Sequence, residues 1–333
     1  MARIALTLFV GLIAGVGVAG AEPAPAANAT AAAAAGWWKP SINQNLTFQY
    51  QLITKLDPAR HFIPGVQVYF VDGFDSTPEA VAALKAKGNA THPVYPVCYI
   101  SAGTHEDWRP DAATFPPATL GTALPDWPGE RWLNVSDPAV RTAISKRIAM
   151  CADKGFVGVD PDNVDGNLNA NGLGLTGGDV LSFVDWLARE AHKAGLAVGL
   201  KNNLPMVPAL LPNVEFFVNE QCHAYNECKT YDLAVAAGKP VFNIEYDPSA
   251  FKAACANGTA SGIDTIFKKA NLDDCRQACG EAGLTCPSGA SPSAAGGAAG
   301  GGGGSAGGAG AARASGAAAV AAALVAAAAM AAW

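Results

Sequence analysis

Eight short apolar or β-branched runs recur through the middle of the chain, most of them followed by a turn and then a helical pattern. They are Phe48 to Leu52, Val66 to Val71, Val94 to Ile100, Arg131 to Val135, Phe156 to Val159, Ala197 to Leu200, Glu215 to Val218 and Val241 to Ile244. Strands that alternate with helices argue for a parallel sheet, because parallel neighbours need a crossover. The helix ends can also be read. Thr77-Pro78-Glu79 supplies a cap, a first-turn proline and an early acid, with Gly88 as a stop, and Asp137-Pro138 repeats the start. Val140, Ile144 and Ile148 form one buried stripe, and Val180, Phe183, Val184, Leu187 and Ala191 form another before Gly195. The pattern predicts an α/β fold, a (β/α)8 TIM barrel over residues 37–250. An open doubly wound sheet is the alternative, but its G-x-G-x-x-G fingerprint after the first strand is missing.

Both ends of the chain read as processing or linker segments. Arg3, the apolar run Ile4 to Val18 and Ala19-Gly20-Ala21 have the parts of an export signal over 1–21, with a membrane anchor disfavoured by the short run. An Ala-rich linker over 22–36 follows. Residues 287–333 hold 34 Gly or Ala out of 47. They divide into a Gly/Ala/Ser-rich linker, 287–316, and an apolar tail, 317–333. The tail reads as a GPI attachment signal, and hence a lipid anchor to the membrane, or else as plain flexible linker. Sequons at Asn28, Asn45, Asn89, Asn134 and Asn257 suit an exported glycoprotein. Without the two ends the chain carries 20 Lys and Arg against 28 Asp and Glu, a net charge of −8. That balance argues against nucleic acid as a partner.

Eight cysteines in an exported chain are expected to pair. Cys222 and Cys228 bracket a short loop and read as a local staple. Cys275 and Cys279 are read as reaching outward, to Cys255 and Cys286, in a disulfide-rich extension over 251–286. Cys98 and Cys151 remain as a third bridge. The spacings do not favour zinc, and neither a metal nor a cofactor is expected.

Polar residues collect where the runs end, and in a barrel this is the rim that carries chemistry. The ends are Asp72-Gly73-Phe74-Asp75, Ser101-Ala102-Gly103 with Glu106 and Arg109 beyond, Asp160-Pro161-Asp162-Asn163-Val164-Asp165, Lys201-Asn202-Asn203, Asn219-Glu220-Gln221 and Glu245-Tyr246. So many carboxylates on one rim repel one another, and the least solvated is expected to keep its proton near neutral pH. This is the acid and base pair that glycoside hydrolysis needs. The competing reading has the rim acids only capping helices or pairing with Lys201 and Arg109. Of the aromatic residues near loops and strand ends, Trp132 and Tyr246 are taken as site residues. Trp37, Trp38, Trp108, Trp127 and Tyr225 are not.

The segments DPDNVDG, GLKNN and NEQCHAYNEC, in this order, resemble those of glycoside hydrolases of the endo-α-1,4-polygalactosaminidase type. The likeness extends from Trp37 to Tyr246. It implies a (β/α)8 barrel that cleaves inside chains of α-1,4-linked galactosamine, with a cationic amino-sugar polysaccharide as its partner; the alternatives are a glycosidase of the same fold acting on another α-linked glycan and a catalytically silent carbohydrate-binding barrel. Carried over by motif, the catalytic pair is Asp162 and Glu220. Asp72, Asp160, Asn163, Asp165, Lys201, Asn202 and Glu245 would orient them or grip sugar, beside Asp75, Asn219 and Gln221 at the strand ends. Asp160 stands where that pattern commonly has Glu, and Asn134 where Asp often follows Trp-Leu.

Overall fold

The computed structural model describes residues 36–257 and 262–289. The expected export signal, most of the Ala-rich linker, the tail and the sequon at Asn28 lie outside them. Among the described residues there are twelve strands: β1 (Phe48–Gln51), β2 (Val68–Asp72), β3 (Tyr95–Ser101), β4 (Thr104–Glu106), β5 (Leu120–Ala123), β6 (Glu130–Leu133), β7 (Gly158–Asp162), β8 (Ala197–Lys201), β9 (Phe216–Glu220), β10 (Val241–Glu245), β11 (Ile263–Phe267) and β12 (Gln277–Ala278). One sheet runs in the order β1-β2-β3-β7-β8-β9-β10-β11-β12, parallel except for the last pair. Its eight parallel strands curl into the expected α/β barrel.

One strand assignment is corrected. The run from Arg131 forms β6, the centre of a separate antiparallel sheet in the order β4-β6-β5, built within the β3-to-β7 connection. The eighth parallel strand is instead β11, which pairs along β10 and lies past residue 250. Asp162 and Glu220 therefore end the fourth and sixth barrel strands, where the sequence tally had the fifth and seventh.

Alternation sorts the barrel's side chains into two cores. The inward positions include Phe48, Tyr50, Phe70, Val97, Tyr99, Phe216, Val218, Phe242 and Ile244. Phe70, Phe216 and Phe242 meet edge to face with ring centroids 5.4 to 6.1 Å apart, filling the lower barrel. Gly199 makes this possible, because a Cβ there would lie 2.3 Å from the Phe216 ring. The outward positions pack on the helices, and both predicted stripes are buried there. Thr77 caps Pro78–Lys85 through Ala80 N, and Asp137 caps Pro138–Asp153 through Ala139 N. Thr176 forms a capping box at the start of Gly177–Lys193.

All eight cysteines pair, as Cys98–Cys151, Cys222–Cys228, Cys255–Cys279 and Cys275–Cys286. The last two staple the C-terminal extension, which also joins the β11 side of the sheet to β1. Leu52 N donates to Leu272 O at 2.9 Å, Gln49 Nε2 to Asp274 O at 2.7 Å, and Lys268 Nζ to Gln49 Oε1 at 3.2 Å. At the opposite, lower end, Trp37 stacks on His192 and donates to Glu215, while Trp38 stacks on Tyr95.

Candidate active site

Inward positions two residues apart on β7, β8 and β9 carry Asp160 and Asp162, Gly199 and Lys201, and Val218 and Glu220. Because β8 lies between the other two, Lys201 rises between the carboxylates. Its Nζ is 3.1 Å from Asp162 Oδ1 and 3.3 Å from Glu220 Oε2. Lys201 is 3% exposed, whereas Asp162 and Glu220 keep 18% and 25% of their side-chain surface. The acids face solvent and the cation lies beneath them. Burial pulls the Lys201 ammonium down, but Asp162, Glu220 and Asp160 outweigh it and hold the group well above its ordinary range.

Each acid accepts two further hydrogen bonds. Asp162 Oδ2 accepts from Tyr99 Oη at 2.8 Å, and its Oδ1 from the main-chain N–H of Asn163 at 2.8 Å. Glu220 Oε1 accepts from Tyr246 Oη, and Oε2 from Asn202 Nδ2 at 3.2 Å. Asn202 Oδ1 accepts from Glu220 N at 3.0 Å, which fixes the start of that side chain as well. Burial, then neighbouring carboxylates, push the phenols of Tyr99 and Tyr246 well above their ordinary range, so they remain donors.

One layer down, Tyr50 Oη donates to Asp160 Oδ2 at 2.9 Å, while Asp160 Oδ1 has no partner. Burial pushes Asp160 up to about 7. Glu130, on β6, also rises to about 7 through burial, and Asp165 to about 6. All three feel the charge of Asp162, so the acids held near neutrality gather on its side of the pair.

The other sequence-predicted residues divide by what they touch. Asn163 has φ 60°, and its side chain turns away from Asp162 to Ser101 Oγ at 3.0 Å, Thr104 Oγ1 at 3.1 Å and Glu130 Oε1 at 3.4 Å. Both carboxylate oxygens of Asp72 accept from Arg109, at 3.1 and 2.7 Å, and Arg109 also grips Glu106. Asp75 is exposed. Trp132 is buried, packed beside Gly166. Asn219 and Glu245 face outward and bind the stapled loop, at Cys222 N and His223 N, both at 2.9 Å. Gln221, at φ 67°, donates its N–H to Ile244 O. Cys222, His223 and Cys228 come close enough to suggest a metal, but both sulfurs are spent in the disulfide.

Sequence reasoning missed Tyr50, Tyr99 and Glu130. The two tyrosines were available from strand parity, since Tyr50 lies two residues from Phe48 and Tyr99 two before Ser101. Glu130 had no such signal, because it reaches the rim from the antiparallel excursion.

A barrel with two part-exposed carboxylates at the ends of strands on either side of a third, bridged by the buried cation of that third strand and fixed by neutral donors, is the equipment of a glycoside hydrolase. The chain belongs to glycoside-hydrolase family GH114, whose family profile matches residues 27–283. It is 38% identical to Ega3 of Aspergillus fumigatus, solved in complex with galactosamine, with a TM-score of 0.68 over 73% of this chain and 97% of that one. The glycoside hydrolase domain of PelA from Pseudomonas aeruginosa shares the fold at 18% identity and a TM-score of 0.55, over 68% of this chain and 96% of that one. An uncharacterized protein of Deinococcus radiodurans is 25% identical over 231 residues, 62% of this chain and 74% of its own length.

Proposed function

We propose that the protein is an exported endo-glycosidase that hydrolyses an α-1,4-linked, galactosamine-containing polysaccharide, with Asp162 as nucleophile and Glu220 as general acid/base. The observation that carries this reading is the Asp162–Lys201–Glu220 arrangement. The two facing oxygens are no further apart than their distances to one nitrogen, 3.1 and 3.3 Å, laid end to end. That bound admits the separation of about 5 to 5.5 Å at which one carboxylate attacks directly, and the reaction is proposed as retaining. Asp162 attacks the anomeric carbon while Glu220 gives its proton to the departing glycosidic oxygen, leaving a glycosyl ester on Asp162. Glu220 then takes a proton from water, which attacks the same carbon and frees Asp162.

The galactosamine bound by Ega3 supports the sugar, and the net charge of −8 supports a cationic chain. Four disulfides support an oxidising, extracellular location. A lipid anchor is proposed from the tail sequence alone. The test is incubation with defined α-1,4-galactosamine oligomers, free and N-acetylated, followed by product masses. Internal cleavage is expected, and it is expected to vanish in folded Asp162→Asn and Glu220→Gln variants. Intact oligomers throughout would sink the reading.

A further inference from the structure

We propose that exposed aromatic side chains on the catalytic face form a track that holds the polysaccharide on both sides of the bond being cut, with Trp108 and Trp127 beyond Asp162 and Tyr225 beyond Glu220. This inference rests on the function proposed above and extends it to sugars remote from the reaction.

Among the described residues six large hydrophobic side chains are exposed: Ile53, Trp108, Trp127, Leu168, Tyr225 and Leu233. All but Leu233 lie in segments that leave the C-terminal ends of barrel strands. Ile53 follows β1, Trp108 and Trp127 belong to the β3-to-β7 excursion, Leu168 follows β7 and Tyr225 follows β9. At the other end of the barrel the tryptophan rings are covered, Trp37 by His192 and Trp38 by Tyr95 and Phe216. Exposed aromatic rings on the face that holds the acids stand where a chain bound across that face would pass.

Strand order gives these aromatic residues a sequence around the rim. The excursion leaves β3, Asp162 ends β7, Lys201 ends β8, and Glu220 with the Tyr225 loop ends β9. With neighbouring strands about 4.8 Å apart, these four origins span about 14 Å, more than one sugar ring. The tryptophans lie farther out still. Thr104, at the near end of β4, donates to Glu130 and accepts from Asn163, next to Asp162. Arg109, next in sequence to Trp108, grips both oxygens of Asp72 at the end of β2, so Trp108 lies on the side of Asp162 away from Glu220. Asp107 N bonds Gly129 O at 3.1 Å, so Trp108 and Trp127 belong to the same outer end of the small sheet. On that flank they are placed to meet sugars beyond the bond being cut. On the opposite flank, the Cys222–Cys228 bridge and the Tyr225 N to Gln221 O bond hold Tyr225 close behind Glu220.

The occupant this track suits is a long chain of amino sugars. A pyranose presents a face of C–H bonds that a flat ring can cover, and a protonated amine is attracted to the same ring face. Asp107 and Asp126, each next in sequence to a track tryptophan, add negative charge for a cationic chain.

The test compares long α-1,4-galactosamine chains with trimers, using wild type, Trp108→Ala/Trp127→Ala and Tyr225→Ala. These side chains are exposed, so the variants should fold, and thermal unfolding checks this. The double variant is expected to raise KM for long chains about tenfold while leaving kcat/KM for trimers unchanged. Tyr225→Ala should act the same way. Unchanged KM on long chains, or equal losses on trimers, overturns the track. Wild-type inactivity on both lengths would sink the proposed function alone. Titration calorimetry with the long chain then decides the track, which requires wild type to bind it and the double variant to bind it more weakly; any other result overturns it.

Discussion

Lys201 places its ammonium 3.1 Å from Asp162 Oδ1, in a position that leaves the lysine 3% exposed. A buried cation this close favours the ionised carboxylate, which is the form a nucleophile needs. Lys201→Met keeps the volume and removes the charge. Without the charge kcat/KM should fall about a hundredfold, whereas Lys201→Arg, which keeps it, should lose less. Rates of the two folded variants check this, and equal losses in both would refute the role.

Asp160 supplies a prediction about stability. Its folded pKa of about 7 lies above the ordinary value of 3.8 because burial opposes the charge. A carboxyl whose pKa rises on folding contributes stability that is complete below about pH 4 and is lost as pH rises through about 7. Asp160→Asn cannot ionise and lacks this dependence. Wild type should hold its largest advantage over the variant near pH 4 and lose it by pH 8. Thermal unfolding of both proteins across that range is the measurement, and a constant gap would count against the assignment. Glu130 and Asp165 titrate in overlapping windows, so the difference between the two proteins is the quantity to read.

Sequence made the barrel legible through hydrophobic runs, because strands buried on both faces must be apolar wherever they pair. It failed where that logic stops. Arg131 to Val135 is apolar enough for a barrel strand, yet Trp132 and Leu133 are buried in an excursion that builds its own small sheet. Ile263–Phe267 escaped notice because its neighbours are cysteines and polar turns, and their disulfides were read as a separate extension. At the site, motifs led to Asp162, Glu220 and Lys201. Asn219 and Glu245, adjacent to inward residues, point the other way, since one step along a strand reverses the face. Asp72, expected to grip sugar, has both oxygens held by Arg109, the pairing that the competing reading of the rim acids offered.

The disulfides should separate stability from activity. Cys98–Cys151 ties β3 to the helix Pro138–Asp153 across 53 residues, and a loop of that length corresponds to about 4 kcal/mol. Cys222–Cys228 closes only 6 residues, about 2 kcal/mol on the same basis, but its loop begins immediately after Glu220. Replacing the first pair by alanine should lower the urea midpoint strongly and spare kcat at 25 °C. Replacing the second should cost less stability and more kcat. Equal effects of the two pairs on both measurements would contradict this division.

The roles of Asp162 and Glu220 can be told apart by the leaving group. A glycosyl fluoride departs without needing a proton, whereas a sugar alkoxide needs one. With Glu220 as the acid, Glu220→Ala should lose about a thousandfold on the polysaccharide and far less in forming the glycosyl ester from an α-galactosaminyl fluoride. Fluoride release in the first turnover reads this step before slow hydrolysis of the ester limits the rate. Asp162→Ala should be inactive on both substrates, because no leaving group replaces a missing nucleophile. The structure gives a reason for this order of roles. Both acids accept from a tyrosine and face Lys201, but the lysine's hydrogen bond goes to Asp162, the less exposed of the two, which suits the group that must attack as a carboxylate. Glu220 is the more exposed of the two and hangs from the start of the 221–228 loop, within reach of water for the second step. If Asp162→Ala retains the fluoride burst and Glu220→Ala does not, the two roles are exchanged.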